Sequence, residues 1–214
     1  GPALRDRMKT RRLGRNGPEV SALGLGCLSF GGLFGATTEA ESLRTLDAAW
    51  DHGIDFLDVA NIYGKGVSET VIGTWLATRG HRPKIATKAG IAGGSPHVVN
   101  NDPAYLRAEL EGSLKRLGVD HVQLFYAHRH DPAVPAEDLA GTMQRLQEEG
   151  KILGYGLSEI APYTLERAHA VHPVTAVQNE YSLWTRLPEL GMVQLCARLG
   201  VAFVAFSPLG RGVF

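Results

Sequence analysis

The chain has 214 residues, enough for one sizeable core and short for two full domains. Its 22 Lys and Arg residues balance 22 Asp and Glu residues, which argues against a nucleic-acid or membrane-surface protein. No apolar run approaches the roughly 18 residues of a membrane span. Cys27 and Cys196 lack metal-ligand spacing, so they read as reduced core residues of a cytoplasmic protein that works on a small molecule.

Gly1-Pro2 reads as the remnant of a cleaved tag, and residues 1–8 as an arm ahead of a single domain over 9–214. Lys9 to Ser21 contains Asn16-Gly17 between two short runs, a hairpin turn signal. Ala22 to Phe30 is an apolar strand run leading to Gly31-Gly32. Thr38-Glu39-Ala40-Glu41 reads as a capping box, with Leu43, Leu46, Ala49 and Trp50 at helical spacing behind it and Gly53 at the end. Ile54 to Leu57 is the second strand, followed by Asp58-Val59-Ala60-Asn61-Ile62-Tyr63-Gly64 and a helix starting near Ser68.

The strand–helix unit then repeats. Lys84 to Lys88 is a strand; Asp102-Pro103 opens a helix with the stripe Leu106, Leu110, Leu114 and Leu117, closed by Gly118. Val122 to Ala127 is a strand, and Pro135 to Glu149 a helix ending at Gly150. Ile152 to Leu157, Thr175 to Asn179 and Val201 to Phe206 are strands, with helices expected over Pro162–Val171 and Pro188–Leu199 between them. Short apolar strands separated by helices predict right-handed βαβ units and a parallel sheet. A doubly wound sheet usually carries a glycine-rich phosphate loop. Here Ser29 and Glu159 stand where the third glycine would follow Gly24-x-Gly26 and Gly154-x-Gly156. The expected fold is therefore a TIM (β/α)8 barrel with an N-terminal β-hairpin, seven of its eight strands lying in this chain and the last strand and two helices beyond it.

The polar residues at the strand ends carry the functional reading. Asp58 ends the second strand and Tyr63 follows in its loop; Lys88 ends the third strand and His128 the fourth. Each has a plain structural alternative: a capping Asp, a packing Tyr, a snorkelling Lys, a satisfied core His. In a barrel these ends converge on one mouth, where the four together make chemical sense. An ammonium beside a phenol stabilises phenolate and lowers its pKa, a carboxylate keeps the ammonium charged, and an imidazole can meet a carbonyl oxygen.

Asp-x-Ala-x-x-Tyr-Gly, then Ala86-Thr87-Lys88, then an apolar run ending in His128 resemble the aldo-keto reductase superfamily, from Lys9 to the chain's end. The resemblance implies a catalytic tetrad: Tyr63 as acid/base, Lys88 and Asp58 tuning it, His128 orienting the substrate. It implies an NADPH/NADP+ cofactor, with Ser158 and Gln178 on the nicotinamide carboxamide, Phe206 stacking on the ring, and Ser207, Pro208, Leu209, Gly210 and Arg211 near the pyrophosphate. Without the resemblance, Ser158 also reads as a helix cap, Gln178 as a loop amide and Phe206 as a core residue. The family's Asp-Thr-Ala is Asp58-Val59-Ala60 here, and Glu159 stands where many members have Asn. Phe30, Phe34, Ile91, Tyr181 and Trp184 lie in or next to mouth loops and are candidates for an apolar substrate pocket.

The expected function is reduction of an aldehyde or ketone, without a metal, a membrane or nucleic acid. Two rivals stand beside it: a Schiff-base lyase using Lys88 as nucleophile, and a cofactor-binding sensor with little turnover.

Overall fold

The computed structural model describes residues 8–27, 30, 38–181, 186 and 191–206. Strands β1 (Thr10–Arg12) and β2 (Glu19–Ser21) form an antiparallel hairpin. Seven further strands follow: β3 (Leu25–Gly26), β4 (Phe56–Asp58), β5 (Lys84–Ala89), β6 (Leu124–Ala127), β7 (Tyr155–Ser158), β8 (Ala176–Glu180) and β9 (Ala202–Phe206). They pair in sequence order, every pair parallel, as one curled sheet. Between them run helices α1 (Glu39–Asp51), α2 (Val67–Arg79), α3 (Pro103–Leu117), α4 (Ala136–Glu148), α5 (Pro162–Val171) and α6 (Met192–Leu199). The architecture is the α/β alternation expected from the sequence.

The helix boundaries follow from local chemistry. Thr38 Oγ1 accepts from the Glu41 N–H at 3.1 Å and caps α1. Asp102 Oδ1 accepts from the N–H groups of Ala104 and Tyr105 and caps α3, with Pro103 behind it. Gly80, Gly118 and Gly200 end α2, α3 and α6 in the left-handed conformation that side chains resist. The stripe Leu106, Leu110, Leu114 and Leu117 is buried in the core between sheet and helices. Fully burying each leucine stabilises the fold by about 1.5–3 kcal/mol.

Three local readings need correction. The strand expected from Ala22 to Phe30 is confined to Leu25–Gly26 among the described residues. The β1–β2 connection is a six-residue loop, Leu13 to Pro18, closed by a Leu13 N–H to Pro18 carbonyl bond of 2.9 Å. Its left-handed residue is Gly14 (φ 72°), so Asn16-Gly17 is not a two-residue turn. The last helix runs from Met192 behind Gly191 as N-cap, and its expected start at Pro188 lies outside the described residues.

The hairpin sits across the amino ends of the strands. Ser21 exchanges hydrogen bonds with Asp55 just before β4, and the Arg15 N–H donates to the Gly200 carbonyl just before β9. Leu13 and Val20 pack with Phe56, Ala86, Leu124, Tyr126 and Ala176 inside the curl of the sheet.

Candidate active site

Side chains alternate between the two faces of a strand. Leu57, Ile85, Phe125, Leu157 and Val177 face the helices, while Phe56, Ala86, Leu124, Tyr126 and Ala176 face inward. By this parity Asp58, Lys88, Ser158 and Gln178 are inward residues near the carboxyl ends of β4, β5, β7 and β8, and His128 follows β6 in the same phase. Five polar residues from five strands therefore share one mouth. The loop from Asp58 brings Tyr63 back to it, through a short 3-10 turn over Tyr63–Gly66.

Lys88 is 1% exposed, and its ammonium donates to Asp58 Oδ1 and to the Val59 carbonyl at 2.9 Å. Gln178 Nε2 donates to the other carboxylate oxygen, Asp58 Oδ2, at 2.6 Å. Asp58 is thus held from both sides, and Gln178 keeps its carbonyl oxygen as an acceptor. The Lys88 ammonium lies 5.5 Å from the centre of the Tyr63 ring and 5.6 Å from that of Tyr126. The rings of Tyr63 and His128 meet edge to face, 6.0 Å apart at 79°.

The electrostatics corrects one expectation. Burial raises the pKa of the half-buried Tyr63 above that of a free phenol, against the pull of Lys88 and Arg129. The ammonium limits the rise and does not reverse it. For Lys88, burial disfavours the charge, but Asp58 and Tyr63 outweigh it and the pKa goes up, so the ammonium persists at neutral pH. His128 is pushed down to about 3 by burial, with Lys88, Arg129 and His97 adding to the effect. It is a neutral imidazole whose Nδ1 is buried without a hydrogen-bond partner among the described residues. The arrangement is a protonated phenol and a neutral imidazole beside a buried ion pair. It can give a proton to an oxygen placed between the two rings.

A family model for the aldo/keto reductase family matches residues 22–214. The chain belongs to the aldo/keto reductase family. A relative from Glycine max, described as probable aldo-keto reductase 1, is 44% identical over 207 residues, which cover 95% of this chain and 60% of that protein. The chain therefore spans less than two thirds of that relative's length. Among solved structures, the glycerol dehydrogenase from Gluconobacter oxydans is similar with a TM-score of 0.87 and 29% identity, over 95% of this chain and 64% of its own. An aldo-keto reductase from Bacillus halodurans in its holo form gives a TM-score of 0.86 and 30% identity, over 96% and 68%. This family acts on small-molecule carbonyl compounds by oxidation and reduction. The parallel curled sheet with its antiparallel hairpin matches the TIM barrels of these aldo/keto reductases.

Of the residues expected to meet a cofactor in an aldo/keto reductase, Ser158 and Gln178 are register partners on β7 and β8, 3% and 6% exposed. Ser158 Oγ accepts from Arg129 Nη1 at 3.3 Å. Hydroxyl and amide donors and acceptors side by side at the mouth suit a carboxamide group. Glu159 adopts φ 52°, a left-handed conformation in which Asn is less strained than Glu, and its carboxylate accepts from the Glu180 N–H at 2.6 Å. It is turned onto β8. Phe206 ends β9; its side chain, and Ser207, Pro208, Leu209, Gly210 and Arg211, lie outside the described residues.

The pocket candidates divide differently. Phe30 is 5% exposed in the cluster between sheet and helices, with Cys27, Leu46 and Trp75. Ile91 is 8% exposed and bridges Val99 at the base of a loop. Tyr181 meets Phe203 edge to face at 5.8 Å. Phe34 and Trp184 lie outside the described residues.

Sequence reasoning passed over two mouth residues. Tyr126 fills the space beneath Lys88, and its buried hydroxyl has no partner among the described residues. Its ring lies across Gly156, where a Cβ would come within 2.4 Å of it. The inward phase of β6 (Leu124, Tyr126, His128) carried that signal. Arg129 follows His128 with the opposite parity and so reads as outward, yet its side chain turns back to the mouth.

No group of three or more His, Cys, Asp or Glu residues that could hold a metal occurs among the described residues. No helix among them is long and apolar enough to cross a membrane.

Proposed function

We propose that the complete protein is an NADPH-dependent carbonyl reductase in which Tyr63 supplies the proton. The supporting observation is the buried Lys88–Asp58 pair set beside Tyr63 and His128 at the mouth. A nicotinamide cofactor, when bound, would deliver a hydride to the carbonyl carbon. Ser158 and Gln178 would hold its carboxamide. His128, neutral and short of a partner at Nδ1, positions the carbonyl oxygen against Tyr63. As negative charge develops on that oxygen, the Tyr63 hydroxyl transfers its proton to it, leaving an alcohol and a phenolate. Lys88 and Arg129 stabilise the phenolate until it regains a proton from solvent at the mouth. Asp58 keeps Lys88 charged and does no proton transfer of its own.

A phenol is already protonated at neutral pH, and burial raises the Tyr63 pKa further, so Tyr63 rests in its acid form. Preference for NADPH over NADH rests on the family resemblance, and a cytoplasmic location on composition. Family membership favours neither the lyase nor the sensor.

The test is Tyr63→Phe in the full-length protein, followed as NADPH oxidation with a panel of aldehydes. Loss of the general acid should lower kcat by roughly 100- to 10,000-fold, with cofactor affinity nearly kept. Activity within a few-fold of the parent would overturn the acid role. Absence of turnover in the parent would favour the sensor.

A further inference from the structure

Arg129 stands at the mouth, and its long-range help to the Tyr63 phenolate leaves one edge of its guanidinium unused. Its Nη1 donates to the His128 carbonyl at 2.6 Å and to Ser158 Oγ at 3.3 Å, so the guanidinium spans the ends of β6 and β7. Its backbone is fixed as well. The Arg129 carbonyl accepts from Asn101 Nδ2 at 3.0 Å, and Asn101 Oδ1 accepts from the Asp131 N–H at 2.7 Å. Asn101 is fully buried, so this clamp ties the loops after β5 and β6 together beneath the arginine.

The nearby carboxylates are committed elsewhere. Asp58 serves Lys88 and Gln178, and Asp131 accepts from the N–H groups of Asn101 and Ala133. No carboxylate among the described residues lies within ion-pair distance of Arg129. Some exposed arginines, Arg44 and Arg82 among them, are also without a carboxylate within ion-pair distance among the described residues. Arg129 differs in being half-buried and anchored by its Nη1 between a tetrad candidate and a cofactor-binding candidate. Its Nε and Nη2 donors make no hydrogen bond among the described residues. That edge of the fork is the one that takes a planar carboxylate through two parallel bonds.

We infer that Arg129 is a specificity-determining residue that selects carbonyl substrates bearing a carboxylate, held by the Nε/Nη2 edge while the carbonyl oxygen lies between Tyr63 and His128. This rests on the reductase reading and adds a substrate class to it. Asn101 and Asp131 act through Arg129 by fixing its backbone. The reaction is unchanged: hydride to the carbonyl carbon, proton from Tyr63 to its oxygen, and the carboxylate carried through unaltered.

The experiment compares 2-, 3- and 4-carboxybenzaldehyde with the matching carbamoylbenzaldehydes, each pair equal in shape and different in charge. In the parent protein at low salt, kcat/KM for at least one acid should exceed that for its amide by about 10- to 100-fold, the range of a charge-assisted hydrogen-bonded pair. Added salt should erode the advantage through KM. In Arg129→Met the acid-to-amide ratio should fall to about 1, with Arg129→Lys between. The ratio corrects for any loss of folded protein. Equal kcat/KM for acids and amides in the parent would overturn the proposal. So would an unchanged ratio in Arg129→Met, including the case in which that variant only weakens NADPH binding. If the parent reduces no aldehyde, the reductase reading fails separately, and titration of benzoate against benzamide still tests the site. Benzoate binding that is lost in Arg129→Met supports it; no preference for benzoate in the parent overturns it.

Discussion

Strand β5 carries two buried ion-pair clusters, one on each face, and they are built to different standards. Lys88 points inward to Asp58; its neighbour Thr87 points outward to Glu69, the fully buried carboxylate in the first turn of α2. On the outer face both carboxylate oxygens are served. Glu69 Oε1 accepts from Arg116 Nε and Nη2 at 2.9 and 2.8 Å, and Oε2 accepts from the Thr87 hydroxyl at 2.7 Å. On the inner face the pair is made, but buried polar atoms around it are left over: Nδ1 of His128 and the hydroxyl of Tyr126. An unpaired buried polar group costs about 1–3 kcal/mol. The outer cluster holds α2, α3 and β5 together. The inner one keeps valences open where a ligand can close them.

Removing one partner from each cluster gives the largest contrast. Glu69→Ala should cost about 1–3 kcal/mol of stability, because the buried Thr87 hydroxyl loses its acceptor while Arg116 can turn to solvent. Activity per folded molecule should change far less. Lys88→Met should abolish turnover, because it removes the charge beside Tyr63. Urea unfolding midpoints set against kcat in the same preparations measure both. If Glu69→Ala lowers kcat as much as Lys88→Met at an unchanged midpoint, the division of labour is wrong.

A smaller effect probes how Tyr126 is seated under Lys88. At Gly156 an added Cβ would lie 2.4 and 2.5 Å from ring atoms of Tyr126 and 3.0 Å from the Ala176 carbonyl. Gly156→Ala should therefore cost roughly 1–3 kcal/mol by overpacking. Combining it with Tyr126→Leu should recover part of that loss, a coupling that a double-mutant cycle reads directly. Additive losses would mean that the ring does not set the clash.

The last effect is in the pH dependence of stability and is absent at neutral pH. With a folded pKa of about 3 against an ordinary value near 6.5, His128 binds its proton more readily in the unfolded chain. The sign follows: there is no penalty above the ordinary value, and a growing one as pH falls from there toward the folded value. The outer cluster contains no histidine. His128→Gln should flatten the fall in unfolding midpoint between about pH 6.5 and pH 4. An unchanged slope in that variant would assign the acid sensitivity to other groups.

Much of this contrast could be read in advance on one side only. Strand-end Asp58, Lys88 and His128 were legible because parallel strands deliver their ends to one edge, and the helix ends because Thr38, Asp102 and the closing glycines cap them by local chemistry. What depended on distant pairing was not. The Gln178–Asp58 bond joins residues 120 positions apart. Glu69 reads as an ordinary first-turn acid until Arg116 and Thr87 are brought beside it. The rise in the Tyr63 pKa reflects burial, which no spacing reveals, whereas the opposing pull of Lys88 could be anticipated. Arg129 was passed over because strand parity predicts backbone direction and not where a long side chain returns. Asn16-Gly17 pointed to the right hairpin and the wrong residue, since the left-handed position is taken by Gly14 in a longer loop.

The β1–β2 hairpin has a mechanical consequence. It is tied near β4 through Ser21 and Asp55 and near β9 through Arg15 and Gly200, with Leu13 and Val20 wedged between. It acts as a chord across an arc: it holds the sheet at the amino ends of the strands, opposite the mouth. The rim has its own tie, the Gln178–Asp58 bond between β8 and β4. Loops beyond both ties can be lengthened, exchanged or recharged without altering the curvature that brings Asp58, Lys88 and His128 together.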